Sequence, residues 1–173
     1  ASYPARAFGV RAGMPLRIAA KVDTADSAYF RERILPMLAG GGVEFIGEID
    51  DTRKSDFLGH AAALLFPIDW PEPFGLVMIE AMACGTPVVA WDCGSVREVV
   101  EPGVTGFIVR SEEEAVAALA RVHELDRATI RRVFERRFSA TTMARAYLDL
   151  YHRLVTPDAA QAASATATVA RLA

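Results

Sequence analysis

The sequence is poor in the residues that staple a fold together or hold metal. It has two cysteines and three histidines in 173 residues. Cys84 and Cys93 flank one run of strand-forming residues. A strand of that length separates its ends by roughly 20 Å, and a disulfide needs its Cα atoms within about 7 Å. No bridge between them is expected, and a reducing cytoplasm fits. His60, His123 and His152 stand alone, without metal spacing, so no metal site is expected. No apolar run approaches the roughly 20 residues that span a bilayer. Residues 1–10 lack the apolar core of a signal peptide. Positive charge is not in excess either. The formal net charge is −3, which argues against nucleic acid as a partner. No serine nucleophile elbow and no Cys–His pair occurs.

What is present is core material. Hydrophobic residues make up 52% and charged residues 24%, the balance of a soluble globular chain. The length fits one domain that buries about 70% of its extended surface. Strands are expected over residues 16–22, 43–46, 63–66, 86–91 and 107–109, where apolar and β-branched residues cluster between turn signals. Helices are expected over 27–38, with Pro36 disturbing the last turn, and over 53–62 behind the caps Asp50 and Asp51. Ser95 to Glu98 and Ser111 to Glu114 read as capping boxes. Two more helices are expected over 127–138 and 141–155. Residues 156–173 are rich in Ala and Thr without apolar periodicity, so disorder or a loose turn is expected. The alternation of strand and helix implies a parallel sheet with helices on both faces. Ligands then bind beyond the carboxyl ends of the strands.

One stretch, from Asp69 to Ala90, organises the rest. Pro71 and Pro73 hold its start as a loop. Residues 75–84 favour helix, and Gly85 suits a left-handed cap. Leu76, Val77, Met78, Ile79, Ala81, Met82 and Ala83 make this helix apolar on nearly every side, so it is expected to be buried all round. Glu80 in its middle then requires a basic partner or a ligand. Gly75 to Val77 would present unpaired N–H groups at a helix start, which favours a phosphate. Gly75 also lets a ligand approach the backbone. Glu72 and Glu80 offer acceptor oxygens for vicinal hydroxyls. Together these features suit a ligand with phosphate and polyol parts.

The run Glu72-Pro-Phe-Gly-Leu-Val-Met-Ile-Glu80, followed by Ala-Met-Ala-Cys-Gly-Thr-Pro-Val-Val, resembles the Glu-(seven residues)-Glu motif of retaining GT-B glycosyltransferases of group 1, also called family 4. Val43 to Gly47, Ala63 to Pro67, Gly94 to Val99 and Gly103 to Val109 are similar to further blocks of that family. The likeness runs from about Ala12 to Leu154. It implies a Rossmann-like α/β fold, the C-terminal, donor-binding half of a GT-B enzyme. Residues 1–155 would form that domain and 156–173 a tail. The resemblance implies that Glu80 binds ribose hydroxyls, that Glu72 contacts the donor sugar, and that Phe74, Gly75 and Leu76 line sugar and diphosphate. Glu72 is then the candidate catalytic residue, orienting rather than attacking. The reaction would be sugar transfer from a nucleotide diphosphate donor with retention, without a cofactor. No Asp-x-Asp triplet occurs, consistent with the metal-independent chemistry of the group.

Against the family pattern, this chain is expected to lack the N-terminal, acceptor-binding domain and the first strand of the C-terminal domain with its Arg and Lys. Lys21 is the nearest substitute for binding the diphosphate; Arg53 and Lys54 are weaker candidates, reading as solvated helix-start residues. The fragment alone is expected to be inactive and to self-associate through an open sheet edge. Plainer readings stand beside these. Glu80 pairs with Arg97 or Lys21 as a structural ion pair, Lys21 is a rim residue, and Phe74 covers the core edge. Gly103 and Gly106 are turn residues. Arg131, Arg132, Arg136 and Arg137 form a solvated face or a peripheral contact with anionic membrane. Rival functions are a sugar-nucleotide 2-epimerase on the same fold and a non-catalytic nucleotide-binding or interaction module.

Overall fold

A computed structural model describes residues 11–38 and 41–155. The expectations for residues 1–10 and 156–173 lie outside the described residues. The chain forms two compact units that divide after Phe134.

In the first unit, strand β1 (Leu16–Ala19) leads through a helical segment to β2 (Val43–Gly47). The segment changes pitch along its length. It is 3₁₀ over Thr24–Asp26, α over Ser27–Tyr29, π over Phe30–Ile34, and α over Leu35–Leu38. Pro36 accounts for the π stretch before it: proline has no N–H, and its ring crowds the carbonyl four residues back. Helix α1 (Asp51–Gly59) follows, then β3 (Leu64–Phe66), α2 (Leu76–Ala83), β4 (Val88–Trp91), the short α3 (Val96–Val99), β5 (Gly106–Val109), α4 (Glu112–Arg121) and most of α5 (Arg127–Phe138).

The fold is α/β with parallel strands flanked by helices, as the alternation predicts. Among the described residues the parallel strands pair in two ladders, β1–β2 and β3–β4–β5. Sequence alternation marks strands, but pairing depends on which edges approach each other in space.

Around β4 the ladder carries helices on both faces. Val89 packs with Val109 and with Ala115, Ala118, Leu119 and Val122, from α4 and the turn after it. Val88 and Ala90 point the other way by the two-residue period of a strand, and α2 packs against β3 and β4. Val88, Val89 and Ala90 are all buried. Burial of each large apolar side chain contributes about 1.5–3 kcal/mol. Gly106 is corrected from a turn residue to a strand residue: a Cβ there would overlap the Val88 carbonyl.

Two expected caps hold. Asp50 accepts the Arg53 N–H at 3.0 Å, and Ser111 accepts the Glu114 N–H at 3.2 Å. The capping box at Ser95 does not form. Its side chain makes no cap bond, because the chain already turns there in a helical conformation and the Ser95 carbonyl takes the Glu98 N–H at 2.9 Å. In the second unit, α6 (Ala140–Val155) has no buried residue. Ser139 accepts the Thr142 N–H at its start, at 3.2 Å.

Candidate functional site

The residues singled out in sequence gather where β3 hands the chain to α2. Gly75 is the N-cap of α2, in the left-handed region at φ 72 and ψ 65. A Cβ there would meet Met78 Cε at 2.7 Å and the Phe66 ring at 3.2 Å. Glycine is therefore required by its torsions and by crowding at once. Gly85 closes the helix as expected, at φ 70. Its N–H donates to the Met82 carbonyl, and the Thr86 N–H donates to Ala81, both at 2.9 Å. That pair of bonds is the Schellman pattern.

The loop before α2 is held by its neighbour after β4. The Ser95 N–H donates to the Glu72 carbonyl at 3.1 Å, and Cys93 Sγ donates to the Trp70 carbonyl at 3.2 Å. Gly94, at φ +56, sits so close that a Cβ would lie 2.5 Å from the Glu72 carbonyl oxygen. Glu72 is half-buried, and its Oε1 accepts the Gly75 N–H at 3.2 Å. The carboxylate thus sits at the positive end of α2. The next N–H groups, those of Leu76 and Val77, belong to the first turn, which has no acceptors within the helix. Phe74 and Leu76 flank this opening, 40% and 63% exposed. Burial of α2 on every side is thereby corrected. Met78, Ala81 and Met82 are buried, but Leu76 in the first turn is exposed.

Glu80 lies one turn further along. Its side chain is 35% exposed and its Oε1 meets Lys54 Nζ at 3.0 Å. The partner is neither Arg97 nor Lys21. Lys54 also meets Asp51 at 3.0 Å. The hydrogen bond to Asp51, and then Glu80, raise the Lys54 ammonium above its ordinary range. Lys54 was expected to be a solvated residue of α1, but α1 packs beside α2, and that packing turns it inward. Only an interhelical contact reveals it, since its spacing from Glu80 carries no motif. Arg97 instead grips Asp92 through two nitrogens, at 2.5 and 2.6 Å, and Arg110 joins at 2.8 Å. These arginines hold the Asp92 carboxyl well below the usual range, Arg97 most strongly. Lys21 pairs with Asp23 on its own loop at 2.9 Å, both well exposed. The structure therefore brings Glu72 and Gly75 together, and Glu80 beside Lys54, but gives Lys21 no contact with them.

Two arginines of α5, read in sequence as a solvated face or not singled out, buttress this region. Arg127 donates to the carbonyls of Ala61 at 2.9 Å and Gly59 at 2.6 Å, and to Thr86 Oγ1 at 2.8 Å. Arg131 donates to the Ala83 carbonyl, at the end of α2. Each supplies a cation to carbonyls left over at a helix C-terminus.

A cavity of about 540 Å³ lies at the ends of β4 and β5, lined by Asp92, Arg97, Pro102, Ile108, Arg110 and Glu114. Its two arginines are matched by two carboxylates, so it has no excess charge for an anion. Both cysteines are free thiols. Among the described residues no group of three His, Cys, Asp or Glu is placed to hold a metal. No described helix is long and apolar enough to cross a membrane.

Comparison with known proteins bears on this geometry. Residues 12–136 match the family described as glycosyl transferases group 1. The phosphatidyl-myo-inositol mannosyltransferase of Mycobacterium leprae is 40% identical over 94 residues, which are 53% of this chain and 25% of that protein. The D-inositol 3-phosphate glycosyltransferase 2 of Catenulispora acidiphila is 39% identical over 84 residues, 49% of this chain and 19% of that protein. Among solved structures, a glycosyltransferase involved in avilamycin A biosynthesis superposes with a TM-score of 0.70 at 31% identity, covering 87% of this chain and 46% of the other. Anabaena HepE, solved with UDP and glucose, superposes at 0.65 and 25% identity, covering 79% of this chain and 40% of the other. The chain spans less than half the length of each of these relatives. With the matched region running from before β1 into α5, this chain belongs to the group 1 glycosyl transferases.

Proposed function

We propose that this chain binds a nucleotide diphosphate sugar at the start of α2 and forms the donor half of a retaining, metal-independent glycosyltransferase. The observation that carries the reading is the arrangement around Gly75. A left-handed glycine opens a helix whose Leu76 and Val77 N–H groups have no acceptor within the helix, with Glu72 bonded to the Gly75 N–H and Glu80 one turn along. The N–H groups and helix dipole suit a diphosphate. The two carboxylates accept from hydroxyls of the sugar and ribose. That HepE was solved with UDP supports the ligand class. In this reading Glu72 orients the donor sugar, and Phe74, Gly75 and Leu76 line sugar and diphosphate. Lys21, paired with Asp23, is the candidate cation for the phosphates.

The acceptor site belongs to a part of a longer protein outside this chain, and the reaction takes place in the cytoplasm. In a doubly wound sheet the first strand pairs between the two halves. The break between β1–β2 and β3–β4–β5 is where such a strand fits. The test is calorimetric titration with UDP, GDP and ADP, repeated on Glu80→Ala. Selective binding of one nucleotide, weakened roughly tenfold or more by the substitution, is the expected result. If none of the three binds, nucleotide recognition by this chain is refuted.

A further inference from the structure

We infer that Lys54 is a positioning residue for Glu80, so that recognition of the nucleotide's ribose diol depends on a lysine of a different helix. The inference rests on the donor-site reading above and adds a residue to it. Lys54 Nζ contacts one oxygen of Glu80, Oε1, at 3.0 Å, and Asp51 Oδ1, also at 3.0 Å. Among the described residues Oε2 of Glu80 has no partner. The carboxylate is thus held by one oxygen and presents the other. A vicinal diol needs such an acceptor, fixed in direction.

The restraint has a physical cause. Glu80 lies on an apolar helix with Met78, Ala81 and Met82 buried around it. An unpaired carboxylate there would turn outward to water. The lysine removes that incentive, because both side chains are about two-thirds covered. Asp51, well exposed, gives the ammonium a second carboxylate contact at 3.0 Å. Asp51 belongs to the first turn of α1, whose start is fixed by the Asp50 cap, so the lysine's position is set by a rigid element.

A lysine near a nucleotide site invites a second explanation, direct contact with the diphosphate. The two are separable, because a phosphate contact is indifferent to the ribose hydroxyls. The experiment is calorimetric titration of the 173-residue chain with UDP and with 2′,3′-dideoxy-UDP. It is run on the natural sequence, Lys54→Met, Lys54→Arg and Glu80→Gln, with a thermal melt of each as a folding control. The natural chain should prefer UDP roughly tenfold or more, the scale of a hydrogen bond to a charged group. Lys54→Met should lose that preference to within about twofold while its affinity for the dideoxy nucleotide stays unchanged. Lys54→Arg should restore part of it.

A Lys54→Met chain that keeps the preference overturns the inference. Equal weakening toward both nucleotides also overturns it, in favour of a phosphate contact. A natural chain that binds both nucleotides equally removes the role of Glu80 and this inference, but leaves nucleotide binding at α2 standing. A natural chain that binds none of UDP, GDP and ADP refutes the nucleotide reading itself; if GDP or ADP is the one bound, the same comparison is run with it and its 2′,3′-dideoxy form. If Lys54→Met does not fold, the comparison of Lys54→Arg with Glu80→Gln decides. Intermediate preference in the first and none in the second is the expected result, and identical behaviour counts against it.

Discussion

Replacing Gly94 by alanine should damage the proposed donor site from behind. Two costs add. Gly94 sits at φ +56, where an L-residue is strained by about 1–2 kcal/mol. The new Cβ would also lie 2.5 Å from the Glu72 carbonyl oxygen and 2.7 Å from the Glu72 nitrogen. These are backbone atoms that cannot rotate aside. Relief requires the Glu72 loop to move by about half an ångström or more, which loosens the Ser95 N–H bond to the Glu72 carbonyl, now 3.1 Å. Losing that bond costs about 0.5–1.5 kcal/mol. The sum is about 1.5–3.5 kcal/mol, or a fall in Tm of about 3–14 °C for a chain of this size. Gly103→Ala is the control. Its φ is +76, yet a Cβ there meets nothing within 4 Å. It pays only the torsional cost, about 2–8 °C. Melting both variants side by side isolates the steric part. UDP affinity should fall in Gly94→Ala and survive in Gly103→Ala. Equal melting shifts, with equal affinities, would show that the Glu72 loop does not rest on Gly94 and would refute the reasoning.

Three further outcomes are expected. Thr86→Val should cost about 2–3 kcal/mol in chemical denaturation, because the fully buried Thr86 hydroxyl donates to Leu58 and accepts from Arg127; a loss under about 0.5 kcal/mol would contradict the buttress. Asp92→Asn should destabilise equally from pH 5 to 7, with a deficit that shrinks as pH drops below about 4. The sign follows from the lowered Asp92 value: its contribution is complete above the unfolded carboxylate's range and is lost as pH falls toward the folded one. A deficit independent of pH would exclude Asp92 as its source. Given UDP-glucose, the 173-residue chain should release no UDP above background, measured by chromatography, as the proposed division of labour between donor and acceptor parts requires; turnover at an ordinary glycosyltransferase rate would sink that division.

Much of this molecule was legible in one dimension. Positions such as Val88 to Ala90, the caps at Asp50 and Ser111, and the left-handed glycine Gly85 act through bonds made within a few residues, or through burial that an apolar run announces by itself. The same holds for the helix that starts at Gly75, and so for the place of the proposed site. Tertiary structure alone decided which strands pair, because hydrogen-bonded edges are chosen by approach in space. It also decided that Ser95 turns without a side-chain cap, that Gly94 supports Glu72, and that Gly106 admits the Val88 carbonyl. Above all it decided the partner of Glu80. Sequence shows that a carboxylate on an apolar helix needs a counter-charge, but Lys54 lies 26 residues away on α1. Coulomb attraction depends on distance through space, and only the packing of α1 beside α2 makes that distance short.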